Sequence, residues 1–121
     1  MTIQDVAVVS VPVADQERAK RFYVDTLGFE LIEEVSAPDL HWIQVAPKGA
    51  STSLTLVDWF ESMPAGSLNG LVLMSSNLRS DYEELLAKGV RFDGPPEPQP
   101  YAALETVLRD PDGNGLILQQ A

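Results

Sequence analysis

His41 is the only histidine in the chain, and cysteine is absent. Imidazole chemistry therefore has a single carrier, while disulfides, thiolate metal sites and a cysteine nucleophile are all excluded. A histidine can work as general base or acid when a carboxylate tunes it, and Glu105 holds the place matching His41 in a second copy of the same sequence pattern. The two can equally hydrogen-bond a polar ligand, or sit at strand ends facing water. Trp42, Trp59, Phe60 and Tyr101 are aromatic residues outside the helical segments. Trp59 and Phe60 end one strand segment and Tyr101 follows a proline-rich one, positions where flat apolar molecules find contact area. Trp42 reads as core packing or a subunit contact. The acidic pairs Glu33-Glu34 and Glu83-Glu84 are adjacent residues that do not converge on a point, so they read as solvated charge. No nucleophile elbow, P-loop, glycine-rich dinucleotide fingerprint or His-Glu-x-x-His occurs.

The elements that must position these residues follow in order. Val6 to Val13 is β-branched and reads as a strand. Asp15 is suited to cap a helix whose apolar face is Ala19, Phe22, Tyr23 and Leu27, with Gly28 as its stop. Phe29 to Val35, Leu40 to Val45 and Ser53 to Trp59 read as three further strands, the second ending at a Pro47-Lys48-Gly49 turn. Ser62 to Asn69 is the connector. Leu71 to Met74 then forms a strand, and Asn77 caps a helix that buries Leu78, Tyr82, Leu85 and Leu86 before Gly89. Val90 to Phe92 is a short strand. Residues 95–100, PPEPQP, lack backbone donors at their four prolines and read as a stiff surface loop. Leu104 to Leu108 and Leu116 to Gln119 are the last strands, joined by the turn Asp110 to Asn114.

The same order of elements thus occurs twice. Asp15 matches Asn77, Gly28 matches Gly89, and the first Pro/Gly turn matches Pro111/Gly113, at offsets of 62, 61 and 64 residues. With 121 residues, the expectation is one domain, 1–121, made of a module over about 1–61 and another over about 68–121. The 18 acidic against 8 basic residues give a net charge of −10, which disfavours nucleic acid and favours a cationic ligand. No apolar run is long enough for a membrane span and no basic-then-apolar leader opens the sequence, so a cytoplasmic protein is expected.

VPVADQERAKRFYVDTLGFEL and LRDPDGNGLILQ resemble the opening and closing signatures of the vicinal oxygen chelate superfamily, in the right order and separation. That superfamily takes in glyoxalases, bleomycin resistance proteins and extradiol dioxygenases. The resemblance implies an α+β fold in which two tandem βαβββ modules form an open curved mixed sheet, a funnel with helices outside and a site inside. It also implies a homodimer. The family's enzymes hold a divalent metal with His and Glu side chains at four places, which fall here on Val8, Thr55, Gly70 and Ile117. None is a strong ligand, so no metal and no cofactor are expected.

Strand alternation then gives a lining. Val8, Ser10, Thr55 and Ile117 are expected to face the funnel, with His41 and Ile43, and their counterparts Glu105 and Val107, pointing the same way. Together with Trp59 and Tyr101 these form the candidate ligand-binding set. Three functional readings follow. The first is a metal-independent small-molecule binding protein of the bleomycin-resistance type, taking a cationic or aromatic ligand. The second is a lyase-, isomerase- or dioxygenase-like enzyme using His41 and Glu105 as catalytic residues, or an unrecognised metal site. The third is a vestigial funnel serving a protein partner.

Overall fold

The computed structural model describes residues 1–121 and divides into two compact units, Met1–Pro64 and Ala65–Ala121. Each unit is a mixed sheet with one helix on one of its faces.

In the first unit, strand β1 (Val8–Pro12) leads through Ala14 to the cap Asp15, whose Oδ1 accepts the amide of Arg18 at 3.0 Å. Helix α1 spans Gln16–Arg21 and gives way to a π-helical turn, Phe22–Thr26, so the apolar spacing out to Leu27 is carried by two kinds of helix. The Leu27 amide donates to the Phe22 carbonyl five residues back, at 2.9 Å, and this wider turn keeps Tyr23 fully buried. Gly28 then reverses the chain at φ 76°, a conformation that side chains with a Cβ rarely adopt. Strands β2 (Glu30–Ala37), β3 (Leu40–Ala46) and β4 (Ser53–Val57) complete a four-stranded sheet in the order β1-β4-β3-β2. β1 and β4 are parallel and the other pairs antiparallel. The side chain of Gln16 fastens α1 to the sheet, its amide donating to the carbonyls of His41 (2.6 Å) and Leu56 (2.8 Å). Val11, Leu56, Ile43 and Val45 are buried with Ala19 and Tyr23 and form the core of this unit.

The second unit repeats the plan. Strand β5 (Leu71–Ser75) is followed by α2 (Leu78–Ala87), whose cap Asn77 accepts from the Ser80 amide at 3.2 Å. β6 (Arg91–Phe92), β7 (Glu97–Gln99), β8 (Ala102–Arg109) and β9 (Gly115–Gln120) follow. The sheet runs β5-β9-β8-β6, with β7 also paired to β8. Leu78, Leu85, Val90, Leu104, Leu108, Leu116 and Leu118 are its buried apolar residues, whereas Leu86, expected inside, is half exposed.

Residues 95–100 correct the expectation of a plain loop. Glu97 to Gln99 pair with β8, and Pro98 is tolerated because β7 is a three-residue strand lying off the main path of the sheet. The fourth strand of the first unit stops at Val57, so Trp59 and Phe60 stand just beyond its end. The architecture is otherwise the expected α+β one: two helices and two mixed sheets of four and five strands, neither closed. Neither helix is long and apolar enough to cross a membrane.

Candidate functional site

Ladder register fixes which side chains share a face, because directly paired residues point the same way and neighbours along a strand point oppositely. In the first sheet, Ser10 pairs with Thr55, Thr55 with Gln44, and Gln44 with Glu33. Val8, Ser10, Thr55, Gln44 and Trp42 therefore lie on one face. The Ser10 and Thr55 hydroxyls are 3.4 Å apart, and the indole of Trp42 donates to Oε1 of Gln44 at 3.1 Å. Trp59 stacks on Trp42 with ring centroids 6.4 Å apart and planes 25° from parallel, and Phe60 adjoins Trp59 at 6.0 Å. The result is an aromatic shelf beside a row of hydroxyl and amide groups. Phe60 is 46% exposed, so the shelf is open at that end.

His41 belongs to the opposite face, which corrects the expected orientation of His41 and Ile43. Ile43 and Val45 are fully buried in the core under α1, and alternation carries His41 to the helix side with them. There its Nε2 lies 2.7 Å from Glu34 and 3.8 Å from Glu17, and Lys20 donates to Glu34 at 2.9 Å. The acid–base pairing of His41 with Glu105 required His41 on the Ser10/Thr55 face, and it loses that basis. Glu34 also departs from its reading as free solvated charge: a register shift between Leu31 and Glu33 turns it toward α1. The Glu17, Glu34 and His41 ligand atoms lie within 4.8 Å of one another, and the ammonium of Lys20 pairs with both carboxylates, offsetting one of their two charges.

The hydrogen bond from Lys20, and after it that from His41, holds the Glu34 carboxyl below the usual carboxylate range. A lowered folded-state pKa means that its stabilisation is present above the unfolded value, about 4.3, and is lost as pH falls through the folded value. Glu34→Gln should flatten the acid limb of a stability–pH curve in that window. Because the group is partly solvated, the effect should be about 1 kcal/mol or less at neutral pH. Denaturant midpoints measured from pH 7 down to pH 3 check this; an unchanged acid limb would remove the role given to the pair.

In the second sheet, Val72 pairs with Ile117, Met74 with Gln119, Ile117 with Val107, and Gln119 with Glu105. These six side chains share the face turned away from the buried leucines. Glu105 is held at both oxygens: the Tyr101 hydroxyl donates to Oε2 at 2.7 Å and the Gln119 amide to Oε1 at 2.9 Å. That bond, ahead of burial, raises the Tyr101 pKa above the ordinary phenol value. Tyr101 itself is 68% exposed.

Of the residues expected from sequence, the fold thus groups Val8, Ser10, Thr55 and Trp59 in the first unit and Tyr101, Glu105 and Ile117 in the second. It separates His41 from the first group. Ladder positions also change one correspondence: Trp42, two residues before the Thr55 partner Gln44, matches Glu105, two before the Ile117 partner Val107. Trp42, Gln44 and Gln119 were missed in the expected set. Leu40 to Val45 is apolar in both phases, so its alternation alone did not mark the first two.

The four positions at which the resemblance implies metal ligands can be tested for fit on this donor set. Val8, Gly70 and Ile117 offer no side-chain donor, and Thr55 offers one hydroxyl, which already faces Ser10. A divalent cation needs imidazole or carboxylate groups there, and the residues do not fit one.

Two unclosed mixed sheets of this topology, each backed by a helix on one face, define an α+β fold of the glyoxalase type. The family described as Glyoxalase/Bleomycin resistance protein/Dioxygenase superfamily matches residues 5–118, and the chain belongs to it. Among solved structures it is similar to TnmS3, an antibiotic binding protein from Streptomyces sp. CB03234, at 48% identity and a TM-score of 0.93, covering 99% of this chain and 98% of that one. A glyoxalase/bleomycin resistance protein from the same Streptomyces strain is also 48% identical, with a TM-score of 0.86 over 96% of this chain and all of its own. A superfamily member from Sphaerobacter thermophilus DSM 20745 is 34% identical, with a TM-score of 0.93 and 100% of both chains covered.

Proposed function

We propose that this protein binds a planar aromatic small molecule without help from a metal, on the tryptophan-bearing face of its first sheet. The observation that carries this reading is the stacked Trp42–Trp59 pair, continued by Phe60 and bordered by Gln44, Ser10 and Thr55. Indole faces offer a flat ligand large contact area at small conformational cost, and the adjoining hydroxyls and amide can fix its orientation. The likeness to an antibiotic binding protein supports binding over turnover. So does the placement of His41 against Glu34 on the helix side, which leaves this face without an imidazole.

Titration with neutral polycyclic aromatic probes, followed by intrinsic fluorescence, tests the proposal. The chain has two tryptophans, both in the shelf, so binding should quench most of the indole emission and raise the melting temperature. Saturable binding without any change in indole emission would place the ligand elsewhere and overturn it.

The proposal includes a homodimer. Strand β2 is an outer strand of its sheet and is exposed along its whole length, with Leu31, Ile32 and Val35 each more than two-fifths accessible. An open strand edge bearing such side chains is suited to pairing with a second copy. Sedimentation should give a dimer that Ile32→Lys shifts toward monomer; a monomer at all concentrations would reject this part.

A further inference from the structure

The second sheet presents an apolar face with a carboxylate set into it. Val72 and Met74 are 44% and 60% exposed, Val107 and Ile117 are partly so, and Glu105 stands beside Gln119 on the same face. A carboxylate among aliphatic side chains ordinarily finds a cation. The partners of Glu105 are instead neutral, a phenol and an amide. Those two donors use one acceptor site on each oxygen and leave the others open, since an ionised carboxylate accepts about four hydrogen bonds. Across the β7–β8 ladder the residue directly opposite Glu105 is Glu97, a second acid on the same face, and neither makes an ion pair. Like charges in directly opposed positions destabilise a ladder, and a cation placed there relieves the repulsion.

We propose that this face binds an organic ammonium: an apolar body seated on Val72, Met74, Val107 and Ile117, with its charged nitrogen donating to Glu105. Tyr101 and Gln119 are the positioning residues, fixing the carboxylate rotamer so that its remaining lone pairs turn toward the nitrogen. The inference rests on the sheet faces being ligand surfaces, as in the function proposed above, and it names the ligand chemistry at the second unit. Charge complementarity selects the occupant. The chain as a whole carries −10, which raises the local concentration of cations over anions at any such face.

A matched pair of probes of one shape separates the outcomes: naphthylmethylamine, protonated at neutral pH, and naphthylmethanol, which is neutral. By calorimetry the amine should bind the intact protein at least about tenfold more tightly than the alcohol, and Glu105→Gln should abolish that preference while leaving alcohol binding within about twofold. Tyr101→Phe should reduce the preference partially, a readout that a merely structural role would not move. Raising the salt concentration should weaken amine binding alone. Equal binding of the two probes, with Glu105→Gln indifferent, would overturn the ammonium assignment and leave the aromatic reading standing. Binding of neither probe, while polycyclic aromatics still quench Trp42 and Trp59, would overturn it as well. If Met74→Glu changed the oligomeric state in a protein without amine preference, the face would belong to a second copy and not to an amine.

Discussion

Replacing Asp110 with alanine is expected to destabilise the protein by about 3–5 kcal/mol, among the largest effects of any single substitution outside the apolar core. The Asp110 side chain is fully buried at the start of the turn between β8 and β9. Its Oδ1 accepts the amides of Asp112 and Asn114, both at 2.9 Å, and its Oδ2 accepts the Asn114 side-chain amide at 2.8 Å. Asn114, also fully buried, passes the connection on, its Oδ1 accepting the Leu68 amide at 3.0 Å while Gly115 donates to the Leu68 carbonyl at 2.8 Å. One carboxylate thus organises the turn that sets the β8–β9 register and ties down the segment entering β5. Alanine would leave three donors without that acceptor where water has little access, each costing about 1–3 kcal/mol before relaxation. At roughly 4 °C per kcal/mol for a chain of this size, the melting temperature should fall by about 12–20 °C. Asp110→Asn keeps one acceptor oxygen and should lie between. A loss below about 1 kcal/mol by denaturant titration would show that the turn holds its shape without the carboxylate.

That turn was also among the most legible parts of the sequence. Aspartate, proline and glycine at fixed spacing have few backbone solutions, so Asp110 to Asn114 and the glycines at 28 and 89 marked their turns without tertiary information. The caps Asp15 and Asn77 were equally local. What local pattern did not settle was the phase of a strand that is apolar in both phases. In LHWIQV, Trp42 and Ile43 compete for the core, and the decision lies with the neighbour: α1 and the π-helical turn after it offer Ala19 and Tyr23, which are fully buried together with Ile43 and Val45, while Trp42 lies on the other face. A one-residue choice of this kind reverses every side chain, which is why His41 left the expected site and Trp42 entered it. The π-helical turn and the short strand at Pro98 were hidden for a related reason. Both depend on hydrogen bonds to residues that the local spacing does not specify, Phe22 to Leu27 in one case and β8 in the other.

The second large effect is expected at the shelf itself. Trp59→Ala should weaken binding of a planar aromatic probe by roughly 10- to 100-fold, and Trp42→Ala by a similar factor, on the scale of aromatic contacts at well-packed binding sites. Trp59 lies beyond the end of β4, so its loss should cost little stability. Trp42 is part-buried on β3 with its indole N–H committed to Gln44, so its variant should also lose some thermal stability. Comparing affinity with melting temperature across the two separates ligand contact from packing. Phenylalanine at either position keeps a ring face and should recover much of the affinity, whereas leucine, apolar but not flat, should not. Since the rings stack at 6.4 Å, their contributions should not add. The double alanine variant should lose less than the product of the single losses, because removing either ring already takes away the sandwich edge that orients the other. Additive losses would mean that the ligand meets the two indoles independently, and a Trp59→Ala protein of unchanged affinity would move the binding surface away from the shelf.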